Sequence, residues 1–228
     1  MKNITKLLMA FLCLGVLFTA CNKDNFDWDA YYKQQEEAIK KEKARQDSLY
    51  KDQAPILEAY ARQKWGNAAM RSDSSLSKGI WYKIEYAKET ATPYTYGITL
   101  TNNGPAIAPF AATFNFQGEL MNGTVFDKNP AGTPAVYTNI YKAIGIYNIA
   151  WMRAFTPPVI KQDGRDYYPH GLLPKGLQKG DKITFIAPSY YTFDQDEYTK
   201  GSEKVTVPKN TPVVYTIELL TIGAATSN

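Results

Sequence analysis

Apolar and polar positions follow two different rhythms along this chain, and the change falls near residue 80. Across residues 22–64 charged side chains dominate and apolar ones are sparse. In YYKQQEEAIKKEKARQDSLYKD (31–52) the pairs Glu36–Lys40 and Glu37–Lys41 lie four apart, the spacing of neighbours on one helix face. The run ILEAYARQKW (56–65) then places Ile56, Leu57 and Tyr60 at helical spacing. Pro55 suits the first turn of a helix, and Gly66-Asn67 suits its end. RSDSSLSKG (71–79) has the composition of a polar linker. From Ile80 the texture turns to β-rich runs separated by Gly, Pro and Asn: IWYKIEY (80–86), AATFNFQGEL (111–120), DKITFIAP (181–188) and PVVYTIELLTI (212–222). The last two are almost continuously apolar, which places them centrally in a sheet. Asn122-Gly123 marks a bend between strands, and the small polar tail GAATSN frays. With no regular βαβ alternation and no internal repeat, the pattern predicts an α+β fold, an antiparallel sheet with one or two short helices. The expected layout is a leader at 1–20, a helical stalk and linker at 21–79, and a folded domain at 80–228.

Composition narrows the chemistry. Seventeen tyrosines favour strands and half-buried aromatic surfaces. The net charge of +4 is spread over interleaved acids and bases, with no basic stripe, so nucleic acid is not an expected partner. His170 is the single histidine; a Ser-His-Asp triad would rest on it alone and a metal site would rest on carboxylates. No metal and no cofactor is expected. Lys2 and Lys6 precede an apolar run over 7–18, then Thr19-Ala20 and Cys21, the layout of a secretory signal peptide. The run is short for a membrane span. LFTAC (17–21) resembles a bacterial lipobox, with Phe18 in place of a small aliphatic residue. That resemblance implies cleavage before Cys21, acylation of its thiol, and a lipid anchor in the bacterial cell envelope, at the outer membrane on its periplasmic or surface face; the alternative is a plain secreted chain. Cys13 would leave with the leader, so the mature chain forms no disulfide and depends on its core.

GELMNGTVFD (118–127) carries the most specific signal. It follows ATFNF (112–116), and downstream come GLQKGDKITFIAPSYYTF (176–193) and VPKNTPVVYTIELLTI (207–222). In that order these stretches resemble the FKBP-type peptidyl-prolyl isomerases over about residues 80–222. The matching positions are Phe116, Gly118, Leu120, Gly123, Phe126 and Asp127; then Leu177, Gly180 and Pro188; then Pro208, Tyr215, Glu218, Leu219 and Leu220. KGIWYKIE (78–85) resembles the opening strand of exported bacterial members that carry a helical N-terminal extension.

The resemblance implies an FKBP-like antiparallel half-barrel sheet around a short helix, with an aromatic pocket between them. It implies catalytic roles for Phe126 and Asp127. Phe116, Phe126 and Tyr215 would wall the prolyl ring, and Tyr191 or Thr192 would hold the peptide backbone at the rim. Thr192 stands where the family has a tyrosine. Gap-free counting back from Gly180 puts the pocket floor at His170 and the preceding Val-Ile pair at Asp166-Tyr167; Val159-Ile160 fits only with an insertion, and Trp151 is an alternative floor. The implied activity is isomerisation of proline-containing peptides or unfolded exported proteins. The rival expectations are a non-catalytic FKBP-like binding or chaperone lipoprotein, and a structural envelope lipoprotein. The sequence sets no oligomeric state.

Overall fold

A computed structural model describes residues 27–72, 74–88, 92–141 and 148–225. The leader, the acylation candidate Cys21, residues 142–147 and the last three residues of the tail lie outside the described residues. The chain divides into two compact units between Arg45 and Gln46.

One helix, α1 (Trp28–Trp65), runs through the N-terminal region. Asp27 opens it by accepting a hydrogen bond from the Ala30 amide at 2.9 Å, satisfying one donor of the first turn. The helix continues through Pro55 instead of starting there. Proline inside a helix costs about 3 kcal/mol relative to alanine. Here the cost is offset by burial on both sides of it: Gln53, Leu57 and Ala61, four apart, form the buried stripe. Ile56, expected on the apolar face, is exposed. In the first unit the helix surface is mostly charged, with an Arg45–Glu42 ion pair at 2.6 Å.

Part of the linker-like stretch is packed: Ser77 and Gly79 are buried, while Arg71, Ser75, Leu76 and Lys78 are exposed. β1 (Met70–Arg71) pairs antiparallel with β2 (Trp81–Glu85), and Ser77 in the intervening 3-10 turn is fully buried. Its hydroxyl meets that of Ser72, so the small polar side chain keeps a partner on burial.

The strands expected from sequence all form. Along the chain come β3 (Ile98–Thr101), β4 (Gly104–Ile107), β5 (Phe110–Leu120), β6 (Val125–Lys128) and β7 (Ala135–Tyr137). A short helix, α2 (Ile149–Phe155), precedes β8 (Ile160–Gln162) and β9 (Arg165–Tyr167), and β10 (Lys182–Ala187) and β11 (Val213–Ala224) close the chain. The main sheet has the order β1-β2-β10-β11-β5-β6, with β7 also pairing β5, and its pairings are antiparallel. The apolar strands β10 and β11 are indeed central. β3–β4 and β8–β9 are separate hairpins.

Alternation sorts the sheet's two faces. Along β5, Phe110, Ala112, Phe114, Phe116 and Gly118 point inward; Phe185 on β10 and Tyr215 and Ile217 on β11 join them. This face packs on α2 through Trp151 and Phe155. Trp81, Ile186 and Val214 lie in a second cluster on the other face, covered by Leu57 and Ala61 of α1. The structure therefore has the α+β class and the arrangement that the resemblance implies: an antiparallel sheet against a short helix, with an N-terminal helical extension.

Candidate functional site

The site is assembled where β5, β6 and β11 meet α2. The β5–β6 hairpin turns at Asn122-Gly123, with Gly123 in the left-handed region at φ +86° and the Gly123 amide donating to the Leu120 carbonyl at 2.9 Å. Past the turn the register slips: Gly118 pairs with Asp127, but Glu119 pairs with Val125. Phe126 is the extra residue of a β-bulge. Regular alternation would send Phe126 and Asp127 to opposite faces. The bulge lets both be buried, at 0% and 6% exposure.

Phe126 packs edge-on against Tyr215 at 5.8 Å between ring centroids. Tyr215 packs edge-on against Trp151 at 5.4 Å, and Trp151 meets Phe116 at the same distance. Trp151 thus lies beneath the walls, on α2. That helix begins at Asn148, whose side chain accepts from the Ala150 amide. Phe116, Phe126 and Tyr215, three of the residues picked out by sequence, are brought together around it.

Asp127 joins them as a fixed acceptor. Its Oδ1 accepts from the Ser202 amide at 3.0 Å and its Oδ2 from the Tyr198 hydroxyl at 3.1 Å. Burial, and then the adjacent carboxylate, push the Tyr198 phenol well above the ordinary tyrosine value. This phenol therefore stays a hydrogen-bond donor throughout the physiological range. Tyr198 stacks on Phe193 at 4.2 Å, and both rings pack edge-on against Phe126. With Phe126, Trp151 and Tyr215 all at 0% exposure, the basin is filled, and the partly buried Phe193 and Tyr198 form its outer layer.

The remaining sequence candidates lie elsewhere. His170 makes a different set of contacts from the rings around Trp151. Its Nδ1 is 3.0 Å from the Ser74 hydroxyl and its ring lies on Tyr168. Burial and the Arg153 charge lower its pKa. The β8–β9 hairpin lies between α2 and β10 in the chain, so gap-free counting back from Gly180 reaches the segment after β9 and not α2. Thr192 turns its hydroxyl into its own loop, donating to the Ser189 carbonyl at 3.2 Å. Tyr191 packs on Tyr190 at 4.4 Å and carries a phenol pKa raised by burial. The hydroxyl bonded to Asp127 belongs to Tyr198, a residue the sequence did not single out. Gln53 is a further residue missed in the sequence. It donates to the Ser189 hydroxyl at 2.8 Å and accepts from the Ser189 amide at 2.9 Å, fixing the loop after β10 to α1. Nothing in a charged helix marks one glutamine as buried.

Among the described residues, no group of three or more His, Cys, Asp or Glu side chains is placed to hold a metal ion, and no helix is long and apolar enough to cross a membrane. The arrangement sets aromatic faces beside a carboxylate, each already packed against or hydrogen-bonded to other groups of the protein. It holds no nucleophile-and-base pair.

No family model matches the chain, and no curated protein sequence matches it. Solved structures do. FkpA from Escherichia coli aligns over 99% of this chain and 82% of its own, with 19% identity and a TM-score of 0.42. The three FKBP domains of wheat FKBP73 align over 68% of this chain and 50% of theirs, with 17% identity and a TM-score of 0.43. A peptidyl-prolyl cis-trans isomerase from Pseudomonas syringae pv. tomato aligns over 78% of this chain and 95% of its own, with 16% identity and a TM-score of 0.40.

Proposed function

We propose that this chain is an FKBP-type peptidyl-prolyl cis-trans isomerase, exported and held on the cell envelope by a lipid on Cys21, acting on proline-containing segments of exported proteins. The observation that carries the reading is the convergence of Phe126, Tyr215 and Phe116 over Trp151 with the Asp127 carboxylate at the same bulge. The lipid anchor rests on Lys2, Lys6, the apolar run and LFTAC.

Rotation about an X-Pro amide must break resonance, against a barrier of ~18–20 kcal/mol. It needs no nucleophile or metal. The twisted amide is less polar than the planar one, so an apolar aromatic basin favours it, and a placed polar group can hold one end. A ten-thousandfold acceleration corresponds to about 5.4 kcal/mol, at ~1.36 kcal/mol per tenfold, within reach of desolvation and shape. In this mechanism the prolyl ring replaces Phe193 and Tyr198 against Phe126 and Tyr215, with Trp151 as floor. Asp127, released from Tyr198, faces the twisting amide.

A specific observation favours a second reading, a binding module of the same fold without catalysis: both Asp127 oxygens already have partners and the basin is full. A cis-to-trans assay on a short proline peptide separates the two. The isomerase reading expects a rate above background that falls at least tenfold in Phe126→Ala and Asp127→Ala. Peptide binding with no rate above background would instead establish the module.

A further inference from the structure

The first turn of α1 carries an aromatic patch that the prolyl site does not use. Trp28, Tyr31 and Tyr32 occupy positions i, i+3 and i+4 and are 59%, 41% and 58% exposed. Their rings touch one another, with centroids 6.1 Å apart for Trp28–Tyr31, 6.1 Å for Trp28–Tyr32 and 5.8 Å for Tyr31–Tyr32. Single exposed aromatics are ordinary on a protein surface; three in mutual contact at one helix end form a surface.

We propose that this patch rests in the headgroup layer of the membrane that holds the Cys21 lipid, so that the chain meets the bilayer at two points. The inference rests on the lipid-anchor reading above. Three features identify a lipid surface as the occupant. Trp and Tyr, unlike Leu or Ile, have an apolar ring and a polar tip, the combination that concentrates at membrane–water interfaces. The patch also has the right depth. Trp28 to Tyr32 spans about 6 Å of helix rise, and the headgroup layer is roughly 5–8 Å thick on each side of a bilayer. Beyond it the sequence is KQQEE (33–37), which belongs in water. Finally, the patch is within reach. Cys21 lies seven residues before Trp28, a tether of no more than about 25 Å, and an acylated Cys21 is itself at the membrane surface.

Tryptophan fluorescence tests the contact. The protein isolated from membranes is reconstituted into phosphatidylcholine–phosphatidylglycerol vesicles, with and without bromine on the acyl chains, and its N-terminal peptide is weighed by mass spectrometry. Comparing wild type with Trp28→Phe isolates Trp28 from the other three tryptophans, Trp65, Trp81 and Trp151. The expected result is an acylated Cys21 together with bromolipid quenching that drops at least threefold in Trp28→Phe. Equal quenching of both proteins, with Cys21 acylated, overturns the contact and leaves the anchor standing. Trp28 shielded from acrylamide but untouched by bromolipid overturns it in favour of a protein partner. An unmodified Cys21 defeats the anchor reading itself, and this inference with it.

Discussion

Gly118 shows how little room the aromatic basin leaves. A Cβ there would stand 2.6 Å from the Phe126 ring and 2.9 Å from the Tyr215 ring. The glycine of GELMNG is thus required by the walls of the site as much as by the strand. Gly118→Ala is expected to destabilise the fold by about 1–3 kcal/mol through overpacking, read as a lower urea midpoint with an unchanged slope. Tyr198 acts from the other side. Tyr198→Phe keeps the ring and removes the hydrogen bond to Asp127, so stability should fall by about 1–2 kcal/mol. The same change loosens the outer layer, and calorimetric affinity for a proline peptide should rise severalfold. An affinity that falls would mean that the hydroxyl binds substrate instead of closing the basin.

At the scale of elements, the bulge in β6 and the position of α2 make the site, and the last part of α1 holds its rim. Gln53 ties that helix to the loop after β10 through the Ser189 backbone and hydroxyl and through the Asn210 carbonyl. In Gln53→Ala the buried Ser189 amide loses its acceptor. An unsatisfied buried donor costs ~1–3 kcal/mol, and the amides of residues 189–192 should exchange with deuterium markedly faster. Unchanged exchange in that loop would show that the glutamine clamp is dispensable. The Pro55 result has the same origin: tertiary burial of Leu57 and Ala61 decides the helix, and local propensity does not.

For the molecule as a whole, buried and half-buried phenols are expected to set the alkaline limit. Tyr96 is 5% exposed, donates to the Leu177 carbonyl, and has a pKa pushed well above its ordinary value by burial and then by the Tyr94 and Asp181 charges. Tyr190 and Tyr198 are raised too, chiefly by burial. In the unfolded chain tyrosines ionise near pH 10, while these stay protonated when folded. Their contribution is thus complete below pH 10 and is lost as pH rises further, with Tyr96 alone giving a slope of about 1.4 kcal/mol per pH unit. Urea midpoints should therefore be flat from pH 8 to 9.5 and fall above 10, less steeply in Tyr96→Phe. A midpoint still flat at pH 11 would contradict the burial of these phenols.

What the sequence determined by itself is local and periodic. The β-rich run AATFNFQGEL marked β5, near-continuous apolar runs marked β10 and β11 as central, and Asn122-Gly123 marked the hairpin bend. The Phe126-Asp127 pair was legible because its motif lies within one hairpin. Tertiary structure alone decided whatever depends on long-range closure. Trp151 meets Phe116 and Tyr215 although the β8–β9 hairpin separates α2 from β10 in the chain, so counting along the sequence does not reveal the contact. Tyr198 reaches Asp127 because the loop after β10 folds back over β6. Ser77 is buried within a polar stretch because its hydroxyl finds that of Ser72. A residue's spacing records its immediate neighbours on a helix or strand, whereas partners seventy residues apart are chosen by which loops the packed core brings together.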